Sequence, residues 1–299
     1  MAYRVRTVDV FTQRQLAGNQ LAVVLDADEL SAEVMQAIAR EMNLAETTFV
    51  MTPQQDGAAA RIRIFTPSTE LPFAGHPTIG TAWVLMAEGR VGSTAPRFTL
   101  EEVVGPVAVR VERQAEGELV WMTHPPVSFG DVIEGRAELA SALGLSQEDL
   151  MPEVPIQMAS TGVPFVYVAL RDPATVDRAV SSGERLAHTL GSRGLPPVFV
   201  FAPSGPGRLY SRMFAPHIFQ ITEDPATGAA SGPLGAFAVR YGIIPRSQVV
   251  SIVSEQGTRM KRQSFVHIEL EYPPTGDLPS RIEVGGGVVP VLSAELTLS

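Results

Sequence analysis

A chain of 299 residues, 45% hydrophobic and 18% charged, can build one large core or two of middle size. Its 23 basic and 32 acidic residues leave a formal net charge of −9, and the densest basic group is RMKR at 259–262, which argues against a nucleic-acid partner. There is no cysteine, which excludes disulfides, thiolate metal sites and any thiol nucleophile or base, and no apolar run approaches the roughly 20 residues that a membrane helix needs.

From the N-terminus, MAYRVRTVDVF alternates apolar and polar residues like a strand and lacks the apolar core of a signal peptide, so the expected location is cytoplasmic. Short runs rich in Val, Ile and Phe follow: LAVVLD, TTFVM and ARIRIF. Between them SAEVMQAIAREM (31–42) predicts a helix, with a Ser cap and Val34, Met35, Ile38, Ala39 and Met42 on one face. HPTIGTAWVLMAEG (76–89) predicts a second, with Pro near its start and Gly at its end. THPPVSFG (123–130) is Pro-rich and marks a break, and 181–196 and 273–280 read as loops. Many strands per helix predict an α+β fold.

The second half repeats the order of the first. Arg63-Ile-Phe-Thr-Pro67 is answered by Arg212-Met-Phe-Ala-Pro216, an offset of 149 residues (212 − 63). ELPFAGHPTIG (70–80) is answered by EDPATGAASGP (223–233), both opening E-x-P-x-x-G, an offset of 153 (223 − 70). Upstream, AGNQLAVVL (17–25) loosely matches TGVPFVYVAL (161–170). Three matches in one order predict an internal duplication into two similar, facing domains: 1–125 joined by 285–299, and 126–284.

In both copies a glycine turn leads into a helix. The first turn of a helix has N–H groups without internal partners and a partial positive charge, and glycine lets a ligand approach the backbone closely. Two such ends would cradle one small anion, most simply a carboxylate. No nucleotide or hydrolase motif competes: GPGRLY (205–210) lacks the third glycine of a dinucleotide fingerprint, and there is no P-loop and no H-E-x-x-H. Ser231 lacks the upstream glycine of a nucleophile elbow.

A carboxylate held at helix ends invites proton transfer at the adjacent carbon. Glu46, in MNLAETTFVM, lies among apolar residues where a charge is costly unless it has a partner or a task. His76 follows Gly75 at a helix start, inside the repeated phrase. Asp224 stands in the second copy where the first has Leu71, and Ala229 answers His76, so the copies share a scaffold and divide the chemistry. Glu70 and Glu223 occur in both copies and read as structural, bonding turn amides. Of the other histidines, His124 and His217 stand beside prolines in loops, and His188 and His267 read as surface or strand residues.

Together, NLAETTFV, RIFTPSTELPFAGHPTIGTA and SRMFAPHIFQITEDPATGAASGPL closely resemble the PhzF family, the phenazine-biosynthesis isomerases and their relatives, over nearly the whole chain. The resemblance implies the diaminopimelate epimerase-like fold: two pseudo-symmetric domains, each a β-sheet rolled around a central α-helix, with the substrate in the cleft between them. Epimerases of that fold use two facing cysteines, which this chain lacks. The family instead uses one glutamate, matched by Glu46, to move a proton within trans-2,3-dihydro-3-hydroxyanthranilate, with a histidine and an aspartate matched by His76 and Asp224. Gly75 and Gly228, with Thr227 and Ala229 beside the latter, would bind the substrate carboxylate. The resemblance implies no metal or organic cofactor and a homodimer, while the scattered basic residues and the short apolar runs imply no nucleic-acid or membrane partner.

Ala45 and Ala229 replace serines usual in the family, and Gln20 replaces the proline of its G-N-P phrase. Two lost hydroxyls, worth about 0.5–1.5 kcal/mol each as hydrogen bonds, point to a small and less polar carboxylic acid. An isomerase using Glu46 is therefore expected. The alternatives are a cysteine-free amino-acid racemase or epimerase and a small-anion-binding protein without catalysis.

Overall fold

The computed structural model describes residues 1–92, 97–115, 117–215 and 221–298. His217, and Pro216 at the end of the second R-x-F-x-P phrase, lie outside the described residues. The chain divides into two compact units, Met1–Thr123 with Gly285–Ser299, and His124–Val284.

The first unit contains β1 (Ala2–Val10), β2 (Asn19–Val24), α1 (Ala32–Met42), β3 (Glu46–Met51), β4 (Ala60–Phe65), β5 (Glu70–Leu71), α2 (Gly75–Ala87), β6 (Arg97–Glu102), β7 (Gly105–Gln114) and β8 (Gly117–Thr123). β1 pairs antiparallel with β2, and β2 runs parallel to β3. β3 is antiparallel to β4, which pairs antiparallel with β5 and parallel with β6. β6, β7 and β8 follow as an antiparallel meander. The C-terminal strand, Arg281–Thr297, pairs with both β1 and β8 and so closes the circuit of strands.

α2 packs against β1, β2, β3 and β8. Every residue from Gly75 to Leu85 except Trp83 is buried, as expected of a helix that is apolar all round. The packing is close at Gly80, where a Cβ would sit 2.6 Å from Leu21 and 2.8 Å from Val10. α1 carries its own signals: the Ser31 side chain accepts from the Val34 N–H, Asn43 ends the helix in the left-handed region, and Met35, Ile38 and Ala39 face inward.

The second unit contains β9 (Ser128–Val132), α3 (Arg136–Ala142), β10 (Gln157–Ser160), β11 (Pro164–Ala169), α4 (Pro173–Arg178), α5 (Gly183–Leu190), β12 (Val198–Gly205), β13 (Arg208–Ala215), β14 (Ile221–Asp224), α6 (Gly228–Arg240), β15 (Val249–Gln256) and β16 (Ser264–Glu271). From β10 onward the pairings are antiparallel to β11, then parallel to β12, then antiparallel to β13. β13 is antiparallel to β14 and parallel to β15, which is antiparallel to β16. This repeats the sequence from β1 to β7 step for step. α6 takes the place of α2: it packs on β10, β11 and β16, and all of Gly228–Val239 except Ala229 is buried. Phe237 anchors it between the rings of Tyr167 and Phe201, at 5.5 and 5.9 Å.

The duplication extends to side chains. Arg63 Nε and Nη2 donate to Glu70 at 2.7 and 2.6 Å, and Arg212 Nε and Nη2 donate to Glu223 at 2.8 and 2.7 Å. Each guanidinium also lies over the phenylalanine two residues on, Phe65 at 5.1 Å and Phe214 at 4.8 Å. The two glutamates thus bind arginines rather than the turn amides expected from the sequence. A fork of two parallel bonds needs a planar guanidinium, and in both copies an arginine on the neighbouring strand supplies it.

One expected loop is a helix. Within 181–196, α5 runs Gly183–Leu190 on a Ser182 cap and buries Leu186 and Leu190, followed by a 3-10 turn at Gly191–Arg193. The stretch 273–280 has no regular structure. No described helix is long and apolar enough to cross a membrane.

Candidate active site

In the first unit, Glu46 opens β3 beside Leu21 of β2, and its side chain is 15% exposed. Asn19 opens β2, and His76 is the second residue of α2. These three strand and helix starts bring one cluster together. His76 Nε2 is 3.3 Å from Glu46 Oε2 and 3.3 Å from the Gln20 carbonyl oxygen. His76 Nδ1 is 3.3 Å from Asn19 Nδ2.

These contacts assign the tautomer. The Gln20 carbonyl only accepts, so Nε2 carries the proton, and the Asn19 amide then donates to Nδ1. Burial pushes the imidazole down to about 3, only partly offset by the Gln20 carbonyl. His76 is therefore neutral at physiological pH, and its contact with Glu46 is the close approach of an uncharged ring and not an ion pair. Gly75 precedes it as the first residue of α2, and half-buried Ala45 precedes Glu46.

In the second unit, Asp224 ends β14 and is 6% exposed. Thr227 precedes α6, Gly228 is the first residue of that helix and half-buried Ala229 its second. The Thr227 hydroxyl donates to Asp224 Oδ2 at 2.5 Å. Fully buried Gln256, the last residue of β15, completes the arrangement. Its amide nitrogen donates to the Asp224 carbonyl at 2.8 Å and to Thr227 Oγ1 at 3.0 Å, and its oxygen accepts the Thr227 N–H at 3.1 Å.

Helix starts separate into two kinds. α1, α4 and α5 begin on side-chain caps, Ser31, Asp172 and Ser182. α2 follows Ala74 and α6 follows Thr227, and neither receives a side-chain cap bond among the described residues; α3, which follows Gly135, also has none. At α6 the reason is visible, because the threonine hydroxyl is turned to Asp224 instead. The first-turn amides of both central helices are thus left to other acceptors.

Elsewhere, Ser231 is buried and donates to the Thr227 carbonyl at 2.9 Å, so it is no nucleophile. His124 is buried, with Nδ1 2.8 Å from Thr161 Oγ1, and burial lowers it to about 3. His188 is exposed on α5, and His267 is half-buried on β16. Asn19 and Gln256 escaped the sequence reading as site residues. G-N-Q at 18–20 carried a signal for Asn19, but Gln256 ends an ordinary strand.

Comparison with known proteins adds the following. Residues 8–294 match the family model described as phenazine biosynthesis-like protein, PhzC-PhzF. The trans-2,3-dihydro-3-hydroxyanthranilate isomerase of Pseudomonas aeruginosa is 39% identical over 285 residues, covering 95% of each chain. The crystal structure of a Bacillus anthracis phenazine biosynthesis protein of the PhzF family superposes with a TM-score of 0.91 at 27% identity, covering 100% of both chains. A hydroxyproline epimerase from Agrobacterium vitis, at 13% identity, shares the fold with a TM-score of 0.68 over 99% of this chain and 92% of its own.

Proposed function

The chain belongs to the phenazine biosynthesis-like family and is an isomerase with the diaminopimelate epimerase-like fold, and we propose that it moves a proton within a small carboxylic acid of the dihydro-hydroxyanthranilate type, using Glu46 as the acid–base and neither metal nor organic cofactor. The observation that carries this reading is the placement of the Glu46 carboxylate against a buried, neutral His76 with a defined tautomer.

The steps balance on Glu46 alone. As carboxylate it takes a proton from one carbon, leaving an electron pair delocalised through the adjoining unsaturation. As carboxylic acid it returns that proton to another carbon of the same system, and the enzyme ends as it began. The His76 ring, its Nε2–H given to the Gln20 carbonyl, stands against the side of Glu46 and limits how the carboxylate turns. Being neutral, it brings no positive charge that would hold Glu46 ionised and weaken it as a base. Gly75 and Gly228, with Thr227 and Ala229, are assigned to the substrate carboxylate, because α2 and α6 start without side-chain caps. Asp224, fixed by Thr227 and Gln256, is assigned to a polar group of the substrate and to assisting the proton.

The test is solvent exchange. The protein is incubated with trans-2,3-dihydro-3-hydroxyanthranilate in deuterated water and followed by NMR and mass spectrometry, with Glu46→Gln alongside. Substrate loss with deuterium uptake, absent in the variant, supports the reading. Equal turnover in the variant would remove Glu46 from the chemistry. A folded protein without exchange would remove this substrate and move the same assay to small amino and hydroxy acids.

A further inference from the structure

Beneath the first turn of α2 lies a carboxyl that the proposed mechanism does not use. Glu102, the last residue of β6, is 5% exposed. Its Oε1 is 2.6 Å from the Thr78 hydroxyl, and the same hydroxyl is 2.7 Å from the Ala74 carbonyl oxygen. Thr78 has one proton for these two short contacts, and a carbonyl oxygen only accepts. With Glu102 ionised, one of the contacts would set two acceptors against each other. With Glu102 protonated, it donates to Thr78, Thr78 donates to Ala74, and both contacts are hydrogen bonds.

The second carboxyl oxygen agrees. Oε2 is buried and has no hydrogen-bond partner among the described residues, which is tolerable for the carbonyl oxygen of a neutral acid and costly for an anion. Burial pushes the group up to about 8, against the smaller lowering effect of the Thr78 hydroxyl. Charged neighbours are engaged elsewhere. Glu101 accepts the Gln54 and Gln55 N–H groups and lies 3.8 Å from Arg61. Glu70, before α2, is held by Arg63, and on α2 itself His76 faces Asn19, Gln20 and Glu46.

What the chain of bonds holds matters. The Ala74 carbonyl and the Gly75 N–H belong to one planar trans peptide, so fixing the oxygen fixes the direction of the N–H. We propose that Glu102 is a positioning residue: as a neutral acid it locks Thr78 onto the Ala74 carbonyl and so aims the Gly75 amide and the start of α2, and its ionisation in mild alkali releases that lock. This rests on the reading of Gly75 and His76 as part of the reaction site.

The experiment follows the Gly75 amide and the His76 ring by NMR from pH 6 to 10, and the exchange rate over the same range, in wild type and Glu102→Gln. An amide side chain is a permanently uncharged donor and can serve Thr78 at every pH. In wild type the Gly75 signal titrates with a midpoint near 8, and the exchange rate falls about tenfold from pH 7 to pH 9, as the neutral fraction does. In Glu102→Gln the Gly75 signal does not titrate and the alkaline loss disappears. A Gly75 signal that stays still in wild type, or titrates equally in the variant, overturns the proposal. Should Glu102→Gln not fold, Thr78→Val removes the link itself. Its Gly75 signal is expected near the wild-type alkaline position at every pH, and a retained titration overturns the proposal. Absence of turnover in wild type would sink the proposed reaction, while the Gly75 titration still decides the role of Glu102.

Discussion

His76 Nε2 stands 3.3 Å from Glu46 Oε2, and the Gln20 carbonyl together with the Asn19 amide determines which ring nitrogen carries the proton. The carboxylate thus faces an uncharged imidazole. Replacing Glu46 by Gln keeps size and polarity but removes the proposed base. Deuterium incorporation is expected to fall by about 10²–10⁴, with the thermal midpoint little changed because the side chain is partly exposed. A loss of structure instead of activity would make Glu46 an architectural residue.

The two buried histidines give the protein a definite acid response. His76 and His124 are each lowered to about 3 by burial, against an ordinary value of 6.5. Between those values the unfolded chain binds protons that the folded chain does not, so stability is fully present above pH 6.5 and is lost as pH falls toward 3. Each histidine contributes a slope of about 1.4 kcal/mol per pH unit in that window. Urea unfolding at pH 7, 6 and 5 should show the decline, and His124→Asn should halve the slope. An unchanged slope in that variant would mean that His124 is charged in the fold.

Much of this arrangement is legible in the chain, because the duplication writes its punctuation twice. Gly75 and Gly228 open helices of equal length, and the offset between Arg63 and Arg212 leads to ion pairs of the same shape. Contacts between separated segments are not legible. Gln256 reaches back 29 residues to Thr227, and His76 reaches 57 to Asn19; nothing near either residue encodes the partner. α5 was hidden because eight residues flanked by Ser and Gly bury only Leu186 and Leu190, too few for a period. Glu102 reads as half of an ordinary acidic pair on a strand, since burial of a carboxyl has no local signature.

The paired arginine–glutamate forks are alike in geometry and unlike in burial. Arg212 and Glu223 side chains are 10% and 14% exposed, against 19% and 30% for Arg63 and Glu70. Arg212 also donates to the Val176, Asp177 and Ala179 carbonyls at the end of α4. Glu223→Ala leaves a buried cation without its counter-charge and should cost about 3–5 kcal/mol. Glu70→Ala exposes a half-solvated one and should cost about 1 kcal/mol. Equal losses in urea titrations would show that solvent reaches both arginines alike.

Gln256 offers the sharpest test of the second unit's role. Its amide satisfies the Asp224 carbonyl, Thr227 Oγ1 and the Thr227 N–H together, so the turn that presents Asp224 and leads into Gly228 depends on one buried side chain. Gln256→Leu fills similar space but strands these groups, at about 1–3 kcal/mol for each left unsatisfied. Gln256→Glu is expected to be worse at neutral pH. It sets a carboxylate oxygen against the Asp224 carbonyl and adds a second negative charge beside the Asp224 carboxylate. Both variants should lower kcat/KM for exchange, with Gln256→Glu recovering as the pH falls and its new carboxyl is protonated, while Gln256→Leu does not. Stability lost in both with kcat/KM unchanged would confine the Asp224–Thr227 turn to architecture and leave the proposed proton transfer to Glu46, with His76 beside it.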